Sequence, residues 1–183
     1  YNTRRFWIEV HELSSFDFVP GQFVTLDLPI HEKPNKRWRS YSIASWPDGS
    51  NVFELLIVLA EQGQGTHYLF NDIKVGSELV FRGAQGVFTL PENLDREVFL
   101  ICTGTGIAPF RSMVNNIYLK QTAFKSIHMI FGCRKKDDLL YYEELKNLQK
   151  ESEKPLKIAT IFSYAANEEQ SAIGDIVDEN FEP

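Results

Sequence analysis

The chain has 183 residues, of which 43% are hydrophobic and 24% charged, a composition typical of a folded globular protein. Its net charge of -6 argues against nucleic acid as a general partner, so anions have to be bound locally. No apolar stretch approaches the roughly 20 residues that span a bilayer, and the chain begins without a secretory signal, so we expect a cytoplasmic protein with no membrane span.

The segment from Thr3 to Leu90 consists of short β-rich stretches separated by Gly and Pro, a pattern typical of an antiparallel barrel. The predicted strands are, in chain order, Phe6–Val10, Gln22–Leu28, Ser40–Ala44 and Val52–Leu59. A short helix is predicted at Thr66–Asn71, capped by the Thr66 hydroxyl. A hairpin made of Glu78–Arg82 and Gly86–Leu90 is expected to close the barrel.

Beyond a polar linker at Pro91–Asp95, strands alternate with helices, which predicts parallel pairing with right-handed crossovers. The predicted order is strand Glu97–Thr103, helix Ala108–Lys120, strand Ser126–Gly132, helix Asp137–Lys150 and strand Leu156–Phe162. Ligands bind beyond the carboxyl ends of such strands, where Gly104, Gly132 and Ser163 lie. Asp137 and Asp138 are expected at the start of the second helix, as the helix dipole favours.

The first of these strand ends carries the most informative motif, Thr103-Gly-Thr-Gly106 followed by Pro109. The two glycines permit a tight turn and a close approach of the backbone to a ligand. The helix that follows offers unpaired N–H groups and a partial positive charge to a pyrophosphate. A lone Gly-x-Gly is also an ordinary tight turn, so this motif alone leaves both interpretations open.

A second motif, Arg39-Ser-Tyr-Ser42, lies on a predicted strand of the barrel. The guanidinium of Arg39 can bind phosphate oxygens in a bidentate fork, and Tyr41 alternates onto the same face, where it can stack on a flat ring. Ser42 lies on the other face. The alternative is a surface salt bridge for Arg39 and a barrel-wall aromatic for Tyr41.

A third motif, Gly63-Gln-Gly-Thr66, places two glycines just before a predicted helix. Free backbone N–H groups at such a turn favour an anion, so the motif is interpreted as a second phosphate site. A plain loop that caps the helix is the alternative.

Taken together and in this order, the Arg39-Ser-Tyr-Ser42 block with Ile43 and the Gly-Thr-Gly-Ile-Ala-Pro turn resemble the ferredoxin-NADP reductase family of flavoenzymes. The resemblance spans nearly the whole chain. It implies a two-domain fold, with a flavin-binding antiparallel β-barrel at 1–92 followed by an NAD(P)-binding α/β domain with a parallel sheet at 97–183. Relative to the family, an opening strand would precede residue 1 and a further strand would follow residue 177, so both domains are expected to be truncated and the second incomplete.

The resemblance also implies the residues of two sites. Ser42 is expected to be the catalytic hydroxyl, beside the reactive nitrogen of the flavin and the incoming nicotinamide. The residues implied to bind the flavin are Arg39, Tyr41, Ser42, Ile43, Val58, Gly65 and Thr66, with Val58 acting mainly through its backbone. Those implied to bind the nicotinamide nucleotide are Thr103, Gly104, Thr105, Gly106, Cys133 and Arg134. The family places a flavin pyrophosphate at a turn that matches Gly65 and Thr66, which favours FAD over FMN.

Two positions bear on the nicotinamide nucleotide. Relatives that use NADP often carry Ser-Arg where this chain has Ser163 and Tyr164, which tilts the expectation towards NADH over NADPH. Arg134, in the basic run Arg134-Lys-Lys136, either compensates by binding an anion or is an ordinary solvated arginine.

The two cysteines, Cys102 and Cys133, end neighbouring predicted strands, and neither they nor the four histidines have metal-ligand spacing. We therefore predict no metal, and two cysteines exclude a four-cysteine iron–sulfur cluster. Both thiols are interpreted as small buried hydrophobes, with a thiol that lines the nicotinamide site as the alternative.

The resemblance implies an NAD(P)H-dependent oxidoreductase that passes hydride to bound FAD and electrons on to a redox partner protein: a ferredoxin, a flavodoxin, a cytochrome or an oxygenase. Two alternatives remain open at this point. One is a reductase that acts on free flavin, and the other is a nucleotide-binding regulatory or interaction module without redox turnover.

Overall fold

The computed structural model describes residues 2–134, 138–151, 156–162 and 176–177. Contacts between residues group the chain into two units. The first consists of Tyr1–Leu90 with Ala108–Asn116, and the second of Pro91–Ile107 with Ile117–Pro183. One helix, α2 (Ile107–Leu119), therefore contributes residues to both units.

Within the described residues, the strands of the first unit pair in antiparallel fashion. They are β1 (Thr3–Glu9), β2 (Phe23–Asp27), β3 (Trp38–Ser42), β4 (Val52–Val58) and β5 (Val80–Gln85). β1 pairs with β4, while β2 lies between β3 and β5 in a second sheet. A bridge between Ile43 and Leu55 links the segment after β3 to β4.

The core of the first unit follows from alternating side chains. In β2, Val24 and Leu26 are fully buried while their neighbours are half-buried, because alternate residues of a strand point to opposite faces. Aromatic rings fill the centre: the ring of Phe53 lies 4.9 Å from that of Phe16 and 5.3 Å from that of Phe81. Truncating one such ring to alanine typically costs about 3–5 kcal/mol.

Two short helices connect the strands of this unit. A 3₁₀ helix at Pro34–Lys36 lies between β2 and β3, and α1 (Gln64–Asn71) lies between β4 and β5. Leu69 and Phe70 of α1 pack into the core, which fixes the helix against the strands. The position of the glycine turn at the start of α1 is therefore set by the core.

A parallel sheet forms the second unit, as predicted. Its strands are β6 (Glu97–Thr103), β7 (Ser126–Cys133), β8 (Leu156–Phe162) and β9 (Ile176–Val177), arranged in that order. β6, β7 and β8 are parallel, and β9 pairs antiparallel with β8. The bounds of β6 and β8 are those expected from the sequence. The predicted fold class, antiparallel strands followed by an α/β parallel sheet, is thus confirmed.

The predicted helix of residues 137–150 begins later than expected. α3 spans Tyr142–Glu151, and Glu143 and Glu144 are the acidic residues of its first turn, in place of Asp138. Tyr141 has φ of +57°, a left-handed conformation through which an α-helix does not continue.

The predicted closing hairpin is also wrong. β5 runs from Val80 to Gln85 and pairs with β2, while residues 86–90 form no strand. Gly83 and Gly86 both have φ near +120°, a backbone conformation outside the β region, which interrupts regular pairing at this point.

None of the helices in the described ranges has the length and apolar character needed to cross a bilayer.

Candidate cofactor-binding sites

The second motif, Arg39-Ser-Tyr-Ser42, lies along β3. Arg39 and Tyr41 are half-buried and share the strand face of fully buried residues in β2. Ser42 is half-buried on the opposite face. On that same face, the hydroxyls of Ser40 and Thr25 are hydrogen-bonded at 2.9 Å. Alternation along the strand therefore separates Ser42 from the other two motif residues, as the sequence predicts.

Gly65 of the third motif lies directly against Arg39. A β-carbon added at Gly65 would lie 3.0 Å from Arg39 Cγ and 3.2 Å from Leu28 Cδ1, so this position has no room for a side chain unless its neighbours move. Arg39 Nη1 donates to the backbone oxygens of Lys36 (3.0 Å) and Trp38 (2.8 Å), which orients the guanidinium. Two motifs separated in the chain thus form one cradle, called here the Arg39–Gly65 cradle.

Thr66 closes the turn beside this cradle, though not in the manner predicted. The cap position of α1 is Gly63, and Thr66 lies inside the helix. Its hydroxyl donates to the Gly63 oxygen at 2.9 Å and accepts from the Ala60 N–H at 3.1 Å. The first N–H groups of an α-helix have no intrahelical partner, so the backbone at Gly65 remains a donor set for an anion.

Burial raises the pKa of Tyr41, and the charge of Arg39 lowers it by a smaller amount. The phenol therefore stays protonated at neutral pH and can donate a hydrogen bond. The ring also packs against the core of the first unit, which holds its orientation.

The two other residues predicted to bind the flavin lie at strand ends: Ile43 directly follows β3, and Val58 ends β4. Ile43 is fully buried, and its N–H donates to Gln22 O at 3.1 Å. Val58 is the last residue of β4 and has an exposed side chain. A contact through the Val58 backbone stays a prediction.

In the second unit, the Gly-Thr-Gly turn directly follows β6. Thr103 is extended, and Gly104–Gly106 form a single 3₁₀ turn that leads into α2. Gly104 has φ of +51°, and a β-carbon there would meet nothing within 4 Å. Thr103, Gly104 and Gly106 are exposed, while Thr105 is half-buried. The turn therefore presents open backbone at the carboxyl end of a parallel strand, where ligands of such sheets bind.

The end of β7 lies beside this turn. Gly132 pairs with Thr103 in the parallel register, and a β-carbon at Gly132 would lie 3.1 Å from Thr103 Cγ2. Cys133 follows and is half-buried. Arg134 is 82% exposed, and its Nε lies 3.8 Å from Asp138 Oδ2. This geometry is that of a solvated arginine with a weak ion pair, and it leaves the guanidinium accessible to an anion.

Neither thiol is set up as a nucleophile. Burial raises the pKa of Cys102 to about 12. Burial also raises the pKa of Cys133, and the nearby carboxylate of Asp138 adds to that increase. Both thiols are therefore protonated at neutral pH.

Ser163, Tyr164 and the lysines of the basic run lie outside the described residues.

Sequence reasoning missed one polar cluster, which lies in the first unit. Glu54 of β4 is only 2% exposed and is paired with both Arg5 and Arg111. A pocket of about 210 Å³ adjoins this cluster, and its lining includes Trp7 and Trp46. Two signals were available: Glu54 is the single charge within the otherwise apolar strand β4, and Arg111 is an arginine near the apolar start of α2.

Two family profiles match this chain. The family described as "Oxidoreductase FAD-binding domain" matches residues 1–90, and the one described as "Oxidoreductase NAD-binding domain" matches residues 100–182. The chain belongs to the ferredoxin-NADP reductase-like family of FAD- and NAD(P)-binding oxidoreductases.

Several curated relatives are similar in sequence. Ferredoxin--NADP reductase B of Sorangium cellulosum is 36% identical over 140 residues, which cover 76% of this chain and 56% of that protein. The anthranilate 1,2-dioxygenase electron transfer component of Acinetobacter baylyi is 34% identical over 142 residues, covering 74% of this chain and 40% of that protein. The chain spans about half the length of the curated relatives that it matches.

Solved structures agree with this fold. A ferredoxin NADP+ reductase from Neisseria gonorrhoeae with bound FAD and NADP superposes with a TM-score of 0.73 at 27% identity, over 91% of this chain and 65% of that one. A cytochrome P450 reductase from Amycolatopsis has the same fold, with a TM-score of 0.76 at 24% identity, over 89% of this chain and 48% of that one.

Proposed function

We propose that this protein is an NAD(P)H-dependent flavoprotein reductase that passes hydride from a nicotinamide nucleotide to bound FAD and electrons on to an acceptor protein. The observation that carries this proposal is the Arg39–Gly65 cradle. It combines a guanidinium held by backbone oxygens with the first turn of a helix at one place, and these are the donors that a diphosphate requires.

For FAD, the residues present fit the group. Arg39 would bind a phosphate oxygen, and the backbone at Gly65 and Thr66 would donate to the pyrophosphate. Tyr41 supplies a flat, protonated ring, and Ile43 and Val58 border the site through their backbones. We propose residues 1–92 as the FAD-binding domain, a range that includes the 1–90 matched by the FAD-binding profile.

For the nicotinamide nucleotide, the open turn from Thr103 to Gly106 supplies backbone N–H groups. We propose that Cys133 and Arg134 border this nucleotide and that residues 97–183 form its domain, which overlaps the matched range 100–182. We favour NADH over NADPH, because this chain has Tyr164 at the position where relatives that use NADP often carry an arginine.

FAD, when bound, accepts a hydride from the nicotinamide and releases electrons singly or in pairs. The protein contributes orientation and exclusion of water, which together lower a bimolecular barrier by up to about 7–11 kcal/mol. We assign to the Ser42 hydroxyl the role of the nearest catalytic group, which donates or accepts a hydrogen bond at the reacting centre. In this scheme no acid–base pair is required.

The acceptor is proposed to be a redox protein: a ferredoxin, a flavodoxin, a cytochrome or an oxygenase. Relatives named ferredoxin--NADP reductase B and anthranilate 1,2-dioxygenase electron transfer component support this class of partner. Flavodoxin and cytochrome acceptors belong to the same class of one-electron partners.

Two measurements test the proposal. The purified protein is expected to be yellow with an FAD absorption spectrum, and anaerobic NADH is expected to bleach the visible absorption of the flavin. A colourless protein that reduces added flavin would instead be a free-flavin reductase. A protein that binds nucleotide without any bleaching would be a regulatory module, and the proposal would be wrong.

A further inference from the structure

The buried cluster in the first unit contains two positive groups and one negative group. Glu54 accepts hydrogen bonds from Arg5 on one side, including Nη2 to Oε2 at 2.9 Å, and from Arg111 Nη1 on the other at 3.0 Å. The side chains of Glu54 and Arg111 are 3% and 5% exposed, whereas that of Arg5 is 43% exposed. The pair of Glu54 and Arg111 is therefore the desolvated part of the cluster.

Directional contacts locate Arg111 within the first unit. Besides Glu54, its Nη1 donates to the Ala44 oxygen at 2.9 Å, and its guanidinium carbon lies 5.2 Å from the centre of the Trp46 ring. All of these residues belong to the first unit. The planar fork of an arginine satisfies such contacts only in a narrow range of positions. Residues 108–116 of α2 are thus fixed in rotation and in translation against β4 and the segment after β3.

The chain positions of these contacts matter for the proposed chemistry. Ala44 and Trp46 directly follow the segment that carries Ser42, and Arg111 lies in the first turns of the helix that begins after Gly106. Apolar contacts of the same helix segment, such as the ring pair of Phe88 and Phe110 at 5.7 Å, are not directional and tolerate sliding. Only the polar contacts specify a register.

We infer that Arg111 is a positioning residue for hydride transfer: its buried pair with Glu54 fixes residues 108–116 of the helix against the strand segment that carries Ser42. This inference rests on the proposed function. A buried ion pair often adds little to the free energy of folding, because removing both charges from water is costly. We therefore interpret this pair as one that specifies a single position of the helix segment. In this inference Arg111 acts through the helix.

The decisive variant replaces both charges of the desolvated pair. Glu54→Leu with Arg111→Met removes the directional contacts and keeps apolar packing, and such replacements usually preserve folding. We expect the variant to retain FAD and its melting temperature. Stopped-flow reduction at saturating NADH is expected to slow by about 10- to 100-fold, as misplacement of reactants by about 1 Å does, with little change in the NADH concentration for half-maximal rate.

Two further variants complete the test. Arg111→Lys keeps a buried charge beside Glu54 and loses the fork, so we expect a smaller loss of several-fold, on the order of 3-fold to 10-fold. Arg5→Met removes the other partner of Glu54, which is not on the helix, and is expected to leave the rate within about 2-fold. Full hydride-transfer rates in both Arg111 variants would overturn the inference. Failure of the unmodified protein to be reduced by NADH would overturn the proposed function instead.

Discussion

Gly65 lies so close to Arg39 that a β-carbon added to the glycine would sit 3.0 Å from Arg39 Cγ. Gly65→Val is expected to displace the guanidinium and to lower the FAD content of the purified protein by at least about 10-fold, because a lost charge-assisted contact costs roughly 1.5–3 kcal/mol. The flavin-to-protein absorbance ratio measures this. Overpacking at this buried position is expected to cost about 1–3 kcal/mol, so the melting temperature of the variant is measured together with its FAD content.

The matched control for Gly65→Val is Gln64→Val. Gln64 precedes Gly65 in the same turn of α1 and is exposed, so the same new side chain would meet solvent there. Its FAD content is expected to equal that of the unmodified protein. Equal FAD content in the two variants would remove the cradle as the pyrophosphate site.

Ser42→Ala tests the proposed catalytic hydroxyl. Loss of one preorganised donor typically slows a reaction by about 10²–10³-fold, and we expect the limiting rate of FAD reduction by NADH to fall at least 10-fold. FAD content is expected to remain unchanged. Ser40→Ala is the control, because Ser40 lies on the same face of β3 but is exposed and bonded to Thr25. A Ser42→Ala rate equal to that of the control would exclude the role.

Gly104→Ala tests the nicotinamide turn. Its φ of +51° disfavours any β-carbon, at a cost of about 1–2 kcal/mol, although the space around it is open. We expect the variant to bind NADH more weakly, seen as a raised NADH concentration for half-maximal reduction. Gly49→Ala is the control, since Gly49 also has a positive φ, +85°, and open space. The two variants are expected to lose similar stability, and only Gly104→Ala to lose NADH affinity.

The local sequence pattern predicted the strands of the second unit well. β6 and β8 are apolar or alternating segments, and segments with helical periodicity separate the strands from one another. The hairpin predicted after Glu78 failed because β5 pairs instead with β2, a choice that depends on contacts distant in the chain. Arg111 and Glu54 are 57 residues apart, and nothing in either local pattern indicates the other. Arg39 and Gly65 were predicted to serve one ligand only through the family resemblance.

The buried thiol of Cys102 predicts a dependence of stability on pH. Its pKa in the folded protein is about 12, above the value of 9.0 for a free thiol, so the unfolded chain loses its proton first. The stabilising contribution is complete below pH 9 and is lost as the pH rises from 9 towards 12. Urea unfolding at pH 8 and pH 10.5 is expected to show a smaller decrease in the free energy of unfolding for Cys102→Ala than for the unmodified protein. An identical decrease in both would contradict the assignment.

Glu54 forms one buried ion pair, with Arg111, and one partly exposed ion pair, with Arg5, so the two can be compared directly. Glu54→Ala leaves the Arg111 guanidinium buried without its counter-charge, and we expect the free energy of unfolding to fall by about 3–5 kcal/mol. Arg5→Ala removes a partner that is 43% exposed and is expected to cost less than about 1 kcal/mol. Denaturant unfolding of both variants measures the difference. Similar losses in the two would mean that Glu54 is held by its exposed partner, and that the position of α2 does not depend on the buried one.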